Sequence, residues 1–289
     1  MKTAYFVDSD YQAVCDFLVA LNQNRTKHLN WNWARWEWMY QHPYCNRSLL
    51  PTIGLWKDDG KVAGAAIFDL YHGEAFCAAL PGYEKLLPEI YAYAWKNLRD
   101  GHGLGIAVSD TDADTQALLT ALGYRKAEQT EALYSLQLKN PLAYVLPSGL
   151  SIREIHFPED TIAYKKVIYK GFDHEGDQAE WEHMLQSEAP LPPNLREELC
   201  LAVADENGEF AAHCTCWYDP RTDYAYIEPV CTVPANRGKG LGRAVVSEAL
   251  NRCRSLGAKR AIVLSDQVFY QKLGFASLEH YTFYWKREA

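Results

Sequence analysis

The sequence predicts an α/β protein made of two similar domains, each with a mixed β-sheet flanked by helices. Three observations predict this architecture. The chain has 289 residues, and domains of roughly 100–200 residues make two domains the expected number. Apolar residues alternate along the chain between the spacing of a strand and that of a helix. Three short motifs of the first half return in the second half in the same order, which indicates a duplicated domain.

The internal repeat consists of three pairs of segments whose offsets lie between 145 and 151 residues. One pair alone would be chance, but three pairs in register indicate a tandem duplication. The pairs are WEWMYQ at 36–41 with WEHMLQ at 181–186, the turn at 58–61 with the turn at 205–208, and LGY at 122–124 with LGF at 273–275.

The division between the two copies is predicted in residues 140–149, where Pro141, Pro147 and Gly149 separate two strand-like segments. The predicted domains are therefore 1–140 and 141–289. In the second domain the expected order is a strand at 150–155, a helix at 162–171, a hairpin of 197–204 with 210–218, a strand at 224–233, a helix at 239–256, a strand at 261–264 and a short helix at 268–273.

Composition and charge exclude several classes of protein. A chain that is 48% hydrophobic and 23% charged is neither disordered nor of low complexity. A net charge of −8 disfavours general binding to nucleic acid or to an anionic membrane. No apolar stretch is long enough to span a bilayer, and acidic residues come too early for a signal peptide, so we expect a cytoplasmic protein. Eight cysteines are too few for a disulfide scaffold.

The segment from Cys231 to Arg243 carries the most informative motif. Its sequence, CTVPANRGKGLGR, is typical of a strand end, a glycine-rich turn and the start of an amphipathic helix. The free N–H groups of such a turn and of the first helical turn, together with the helix dipole, form an anion site. Glycines let the backbone approach a pyrophosphate closely, and Arg237, Lys239 and Arg243 would add positive charge.

Three nucleotide-binding motifs compete for this segment. A P-loop needs Ser or Thr after Gly-Lys, but Gly240 follows Lys239. A dinucleotide fingerprint needs G-x-G-x-x-G, whereas Gly238, Gly240 and Gly242 are spaced G-x-G-x-G. The pattern that remains is Arg-x-x-Gly-x-Gly, from Arg237 to Gly242. A plain tight turn is the structural alternative, but glycines that enter a helix cost about 1 kcal/mol each, which favours the phosphate site.

This pattern resembles the acyl-CoA pyrophosphate loop of the GNAT N-acetyltransferase superfamily. Residues 269–275 (FYQKLGF) resemble the second signature of that family, a Tyr ahead of Gly-Phe. Together with the order of strands and helices, the two motifs cover essentially all of the C-terminal half. The N-terminal half resembles the same fold through the internal repeat, so the whole chain resembles a tandem GNAT protein.

The resemblance implies acetyl-CoA as co-substrate. Tyr270 would protonate the departing CoA thiolate, because a phenol with a pKa of about 10 stays protonated where a thiol ionises; a packed aromatic is the alternative. Glu228 would take the proton of the amine, directly or through a water, with Tyr226 on the same strand face as the alternative base. The implied acyl-CoA contacts are Cys231, Thr232, Val233, Arg237, Gly238, Lys239, Gly240, Leu241, Gly242 and Arg243, and, after the next strand, Ser265 and Asp266.

The N-terminal half departs from the family pattern where the donor would bind. Residues 79–86 (ALPGYEKL) replace the phosphate loop and contain one glycine and an acidic residue. Leu119 falls at the position of Tyr270, and Tyr124 corresponds to Phe275. We therefore expect this half to have lost acyl-CoA binding and to act as a structural or substrate-shaping domain.

Three further clusters have both a functional and a structural interpretation. Cys214 and Cys216 could ligate a metal, but without a second ligand pair core packing is favoured and no metal is expected. Trp31, Trp33, Trp36 and Trp38 could form a wall for a cationic acceptor, although core packing is again favoured. An acidic loop with Asp173, Glu175 and Asp177 could select a cationic amine or could simply be solvated. Cys231 could carry the acyl group, but direct transfer is commoner in the family.

The sequence therefore predicts an N-acetyltransferase that transfers an acyl group from acetyl-CoA to a primary amine of a small molecule or a peptide by direct attack. A non-catalytic acyl-CoA sensor is the alternative. A tandem-GNAT peptidyl transferase that uses charged tRNA is a third hypothesis, which the charge of −8 and the intact glycine loop disfavour.

Overall fold

The structure of the protein, a computed structural model, describes residues 2–187 and 191–288. These residues contain twelve strands and eight α-helices in a mixed α/β arrangement, which confirms the predicted fold class. The strands are β1 (Lys2–Tyr5), β2 (Gly54–Asp58), β3 (Lys61–Asp69), β4 (Tyr71–Ala79), β5 (Leu104–Ser109), β6 (Arg125–Gln137), β7 (Leu150–Glu154), β8 (Cys200–Asp205), β9 (Phe210–Tyr218), β10 (Tyr224–Thr232), β11 (Arg260–Leu264) and β12 (Ala276–Lys286). The helices are α1 (Tyr11–Leu21), α2 (Trp33–Gln41), α3 (Leu87–Asn97), α4 (Ala113–Ala121), α5 (Thr161–Gly171), α6 (Gln178–Gln186), α7 (Leu241–Leu256) and α8 (Val268–Lys272).

The chain forms two compact units, neither of which is a continuous segment. Unit 1 comprises the described residues of 1–134, 264–267 and 277–289. Unit 2 comprises those of 135–263 and 268–276. The division of the chain into two repeats at residue 140 concerns the duplication of the sequence and stays a prediction.

Unit 1 has the strand order β1-β2-β3-β4-β5-β12, with β6 next to β12. Strands β1 to β4 form antiparallel neighbours, and β12 runs antiparallel to β5 from Tyr281–Ser109 to Lys286–Leu104. Strands β4 and β5 are parallel and pair at Glu74–Gly105. Helix α1 packs on β3, and α3 packs on β3 and β4.

Unit 2 has the strand order β11-β10-β9-β8-β7. Strands β7 to β10 are antiparallel neighbours, whereas β10 and β11 are parallel and pair over Tyr224–Tyr226 with Arg260–Ile262. The two faces of this sheet carry different helices. On β9 the His213 ring meets Tyr164 of α5, while the neighbouring side chains point to the opposite face, where Cys216 interacts with Cys253 of α7.

The predicted elements of the second half are present with shifted ends. Helix α7 begins at Leu241 rather than at residue 239, because Gly240 has a left-handed backbone with φ of +81° and forms the N-cap. The first strand of the hairpin begins at Cys200, because residues Glu197–Leu199 form a short 3-10 helix. Gly257 ends α7 as predicted, with φ of +115° and its N–H bonded to the carbonyl of Arg254.

Within the described part of the chain, no helix is both long and apolar enough to cross a lipid bilayer.

Candidate functional site

The turn between β10 and α7 leaves backbone N–H groups open to an anion. Gly238 and Gly240 have φ of +77° and +81°, and a Cβ at either position would meet nothing within 4 Å. These glycines are therefore required by the backbone conformation and not by crowding. No side chain caps Gly240 at the start of α7. The donors of the first helical turn consequently remain available, at the positive end of a helix of 16 residues.

Gly242 serves a different purpose from the two turn glycines. It lies in the first turn of α7 and is buried against β10 and α8. A Cβ on it would lie 3.1 Å from Oγ1 of Thr232 and 3.5 Å from the Phe269 ring. Leu241 is also buried, at 1% exposure, so only its backbone can face the anion site. Gly242 thus allows the helix to pack closely on the strand end.

The basic side chains of the loop are held in different ways. Arg237 donates from Nε to the carbonyl of Thr232 at 3.0 Å. Its Nη2 donates to the carbonyl of Gly171 and to Oδ2 of Asp173, each at 2.9 Å. Lys239 donates to Oδ1 of Asn236 at 2.8 Å, and Arg243 is exposed on the first turn of α7. All three cations therefore surround the open turn.

Glu228 lies at an irregularity of β10. The register of β10 with β9 shifts between Ile227 and Val230, so Glu228 lies within a bulge of this strand. The phenol of Tyr226 donates to Oε2 of Glu228 at 2.6 Å. The indole of Trp217 donates to the backbone carbonyl of Glu228 at 2.7 Å. Two donors on neighbouring strands thus fix the carboxylate and its backbone.

Tyr270 lies in α8 with 7% of its surface exposed. Its ring makes edge contacts with Phe269 and Phe275. Burial raises the pKa of the Tyr270 phenol well above its ordinary value, and the nearby carboxylate of Glu228 raises it further. The structure therefore brings Tyr270 within electrostatic reach of Glu228, and it keeps the phenol protonated at neutral pH.

The end of β10 leaves one edge open. Cys231 and Thr232 pair with β9, and the N–H of Val233 bonds to the carbonyl of Ala211. In the described pairing, β11 follows β10 only as far as Tyr226. The pseudo-strand contact of Cys231, Thr232 and Val233 with a pantetheine arm stays a prediction.

Cys231 does not have the properties of an acyl carrier. Its side chain is 5% exposed and its thiol contacts the carbonyl of Val167 in α5 at 3.4 Å. Burial raises the pKa of the thiol to about 12, so the nucleophilic thiolate does not form at neutral pH. The environment of Cys231 supports direct transfer over a covalent intermediate.

Ser265 and Asp266 lie in the connection between β11 and α8. Ser265 accepts a hydrogen bond from the N–H of Gln267 at 3.3 Å. These residues belong to unit 1, whereas the glycine loop belongs to unit 2. Their assignment to the acyl-CoA site stays a prediction.

In unit 1, the turn that corresponds to the glycine turn between β10 and α7 is hydrogen-bonded to one of its own side chains. After β4, both carboxylate oxygens of Glu84 accept from the N–H of Gly82, at 3.0 and 2.9 Å. Backbone N–H groups of Glu84 itself and of Gly82 lower the pKa of this carboxyl. A carboxylate of the same turn thus occupies the backbone N–H of Gly82. The loss of acyl-CoA binding by this half stays a prediction.

The repeat also extends to the turn that carries Tyr270. The N–H of Phe275 bonds to the carbonyl of Tyr270 at 3.1 Å, and the N–H of Tyr124 bonds to the carbonyl of Leu119 at 3.0 Å. The two turns have the same geometry. Leu119, however, is an aliphatic side chain with 0% exposure, so unit 1 keeps the turn and has no phenol at the position of Tyr270.

The other clusters have structural roles. Trp31, Trp33 and Trp36 have 3%, 2% and 0% exposure and belong to the core of unit 1. The thiols of Cys214 and Cys216 are buried 3.9 Å apart. Among the residues that the structure describes, no group of His, Cys, Asp or Glu could hold a metal ion.

The acidic loop between α5 and α6 is engaged within the protein. Asp173 pairs with Arg237 at 2.9 Å, and Glu175 pairs with Lys170 at 3.2 Å. Asp177 caps α6 by accepting from the N–H of Glu180. Sequence reasoning missed the link between Asp173 and Arg237, because no local pattern joins residues so far apart. The bond between Tyr226 and Glu228 had a signal, since both lie on one strand face.

The comparisons with known proteins agree with this geometry. The sequence pattern of the Acetyltransferase (GNAT) family matches residues 159–275, which include Glu228, the glycine loop and Tyr270. A tandem GNAT protein from the clavulanic acid biosynthesis pathway has a similar structure, with 15% identity, a TM-score of 0.62, and coverage of 99% of this chain and 98% of that chain. No curated protein matches the chain in sequence.

Two further solved structures share the fold over nearly the whole chain. A GCN5-related N-acetyltransferase from Sphaerobacter thermophilus has 16% identity, a TM-score of 0.57, and coverage of 99% of this chain and 95% of that chain. A GNAT-family acetyltransferase from Colwellia psychrerythraea has 14% identity and a TM-score of 0.56, and both chains are covered completely. Residues 159–275 therefore match the Acetyltransferase (GNAT) family, and the chain as a whole has the fold of a tandem GNAT protein.

Proposed function

We propose that this protein transfers an acyl group, most simply acetyl, from acyl-CoA to a primary amine of a small molecule or a peptide. The open first turn of α7, reached through Gly238 and Gly240, is the observation that carries the proposal. A pyrophosphate fits such a turn, because uncapped N–H groups and the helix dipole both favour an anion. Arg237, Lys239 and Arg243 supply the charge that further phosphates need.

Glu228 is the proposed base. It takes a proton from the ammonium of the acceptor, either directly or through one water, and so frees the nitrogen lone pair. Tyr226 is the weaker candidate for this role, because its phenol already donates its proton to Oε2 of Glu228 at 2.6 Å.

Transfer then proceeds without a covalent enzyme intermediate. Glu228 passes the first proton to solvent, and the amine nitrogen attacks the thioester carbon and forms a C–N bond. The nitrogen of the tetrahedral intermediate then releases its surplus proton to solvent, and the C–S bond breaks as the carbonyl re-forms. The leaving CoA thiolate takes the phenolic proton of Tyr270, and solvent later returns that proton to the phenolate. The high pKa of Cys231 supports the direct route over an acyl-cysteine.

All eight cysteines are buried free thiols, which is typical of a reducing compartment. We therefore place the reaction in the cytoplasm.

A screen of amines with acetyl-CoA tests the proposal. Release of the CoA thiol is measured with polyamines, aminoglycosides, amino acids and peptides, and acetyl-CoA binding is measured in parallel by calorimetry. We expect turnover on at least one class of amine. Tight binding without turnover on any amine would favour an acyl-CoA sensor, and no binding at all would contradict the donor site.

A further inference from the structure

Arg237 joins three parts of unit 2. Its guanidinium donates to the carbonyl of Thr232 at the end of β10, to the carbonyl of Gly171 at the end of α5, and to the carboxylate of Asp173 in the α5–α6 loop. Asp173 is the only side chain among these acceptors. It has a left-handed backbone with φ of +63°.

The N–H groups of the Arg237 guanidinium divide into those that bond within the protein and those that remain available. An arginine has five N–H donors, and three of them are used by Thr232, Gly171 and Asp173. Within the described part of the chain, no acceptor contacts Nη1, so its two N–H groups are free for a phosphate. The protein contacts therefore fix the guanidinium through Nε and Nη2 and leave Nη1 available.

We propose that Asp173 is a positioning residue, which orients Arg237 toward the phosphates of acyl-CoA and thereby couples the α5–α6 loop to the donor site. This inference rests on the proposed donor site. Binding of acyl-CoA and ordering of the α5–α6 loop then support each other, because both depend on the guanidinium of Arg237. The acidic residue at 173 acts through its contact with Arg237 and not by attracting a cationic amine.

Variants of Asp173, with a control at Glu175, distinguish a positioning role of Asp173 from an effect of its negative charge. Asp173→Asn keeps an oxygen that can accept from Nη2, whereas Asp173→Ala removes it. Glu175→Ala is the matched control, because Glu175 belongs to the same loop and also forms an ion pair, with 58% of its side chain exposed against 60% for Asp173. Lys170, the partner of Glu175, does not belong to the glycine turn.

Calorimetry with CoA is the first measurement. We expect Asp173→Ala to weaken CoA binding about two- to fivefold, the range of an exposed ion pair. Asp173→Asn should retain most of the affinity for CoA, and Glu175→Ala should retain all of it. In an Arg237→Gln background, Asp173→Ala should cause no further loss of affinity. Tighter CoA binding in both Asp173 variants would show that Asp173 competes with the phosphates, and it would overturn the proposal, as would unchanged binding in Asp173→Ala.

Hydrogen exchange of residues 172–177 is the second measurement, and it does not depend on turnover. In the free protein we expect faster exchange in Asp173→Ala and Arg237→Gln than in Glu175→Ala. CoA should slow this exchange in the wild type and not in Asp173→Ala. Equal exchange in all free variants would refute the coupling. A wild type that binds CoA without transferring an acyl group would refute the proposed activity alone.

Discussion

The phenol of Tyr226 donates a hydrogen bond of 2.6 Å to Oε2 of Glu228. Tyr226 is 2% exposed, so the donor is fixed in the core and the carboxylate reaches out from the bulge of β10. A donor on a carboxylate stabilises the charged form. In the proposed mechanism the pair therefore divides two tasks that sequence reasoning could not separate: Tyr226 would hold the carboxylate, and Glu228 would accept the proton.

Replacement of Tyr226 by Phe tests this division. Loss of the donor should raise the pKa of Glu228, so the fall of kcat/KM at acidic pH should move to higher pH. Turnover should persist on the alkaline side, where Glu228 is still ionised. The measurement is the pH profile of kcat/KM, with acetyl-CoA affinity as the control. If Tyr226 were itself the base, Tyr226→Phe would instead abolish turnover at every pH.

Tyr270→Phe should lower kcat by about 100-fold or more and leave the dissociation constant of acetyl-CoA nearly unchanged. The acid must be protonated to act, and burial raises the pKa of Tyr270. In the wild type, deprotonation of Tyr270 should therefore not lower kcat at any pH up to about 10, the ordinary pKa of tyrosine. Steady-state kinetics between neutral pH and pH 10 measure both effects, and equal turnover by Tyr270→Phe would remove this residue from the mechanism.

Gly240 and Gly208 form a matched pair for testing the glycine turn. Both have φ of +81°, and a Cβ on either meets nothing within 4 Å. Gly240→Asp and Gly208→Asp should therefore cost similar stability, about 1–2 kcal/mol for a left-handed residue. Only Gly240→Asp places a carboxylate at the anion site.

Calorimetry with CoA should show binding lost in Gly240→Asp and kept in Gly208→Asp, and thermal unfolding checks that the two variants are equally folded. Retained affinity in Gly240→Asp would place the phosphates elsewhere.

Local patterns predict the parts of this fold that depend on local chemistry. The alternate glycines after β10 predict a turn and a helix start, and helical spacing predicts Leu241, Val245 and Ala249 in the core, where they have 1%, 0% and 0% exposure. The exact start of α7 was missed, because Gly240 takes a left-handed conformation that spacing does not reveal.

Long-range contacts could not be predicted from such patterns. Nothing within residues 276–286 indicates which strand they join, yet β12 pairs with β5. The bond between Arg237 and Asp173 joins residues 64 positions apart. The acidic loop looked like a cation site because the sequence shows charges and not their partners. The structure gives each of these acids a partner within the protein.

The hydrogen bonds from the N–H of Gly82 to the carboxylate of Glu84 predict that each chain binds one molecule of acyl-CoA. Unit 1 keeps the turn that follows β4, but both carboxylate oxygens of Glu84 accept from the N–H of Gly82 in this turn. A bound pyrophosphate would have to displace this negatively charged carboxylate. Calorimetry should therefore give a stoichiometry of one, and Gly240→Asp should remove all of the binding. Glu84→Gln, which keeps an oxygen acceptor without the charge, is the control and should still bind one. Two sites in the wild type, or binding that survives in Gly240→Asp and disappears on mutation of the turn at Gly82, would show that unit 1 has kept a donor site.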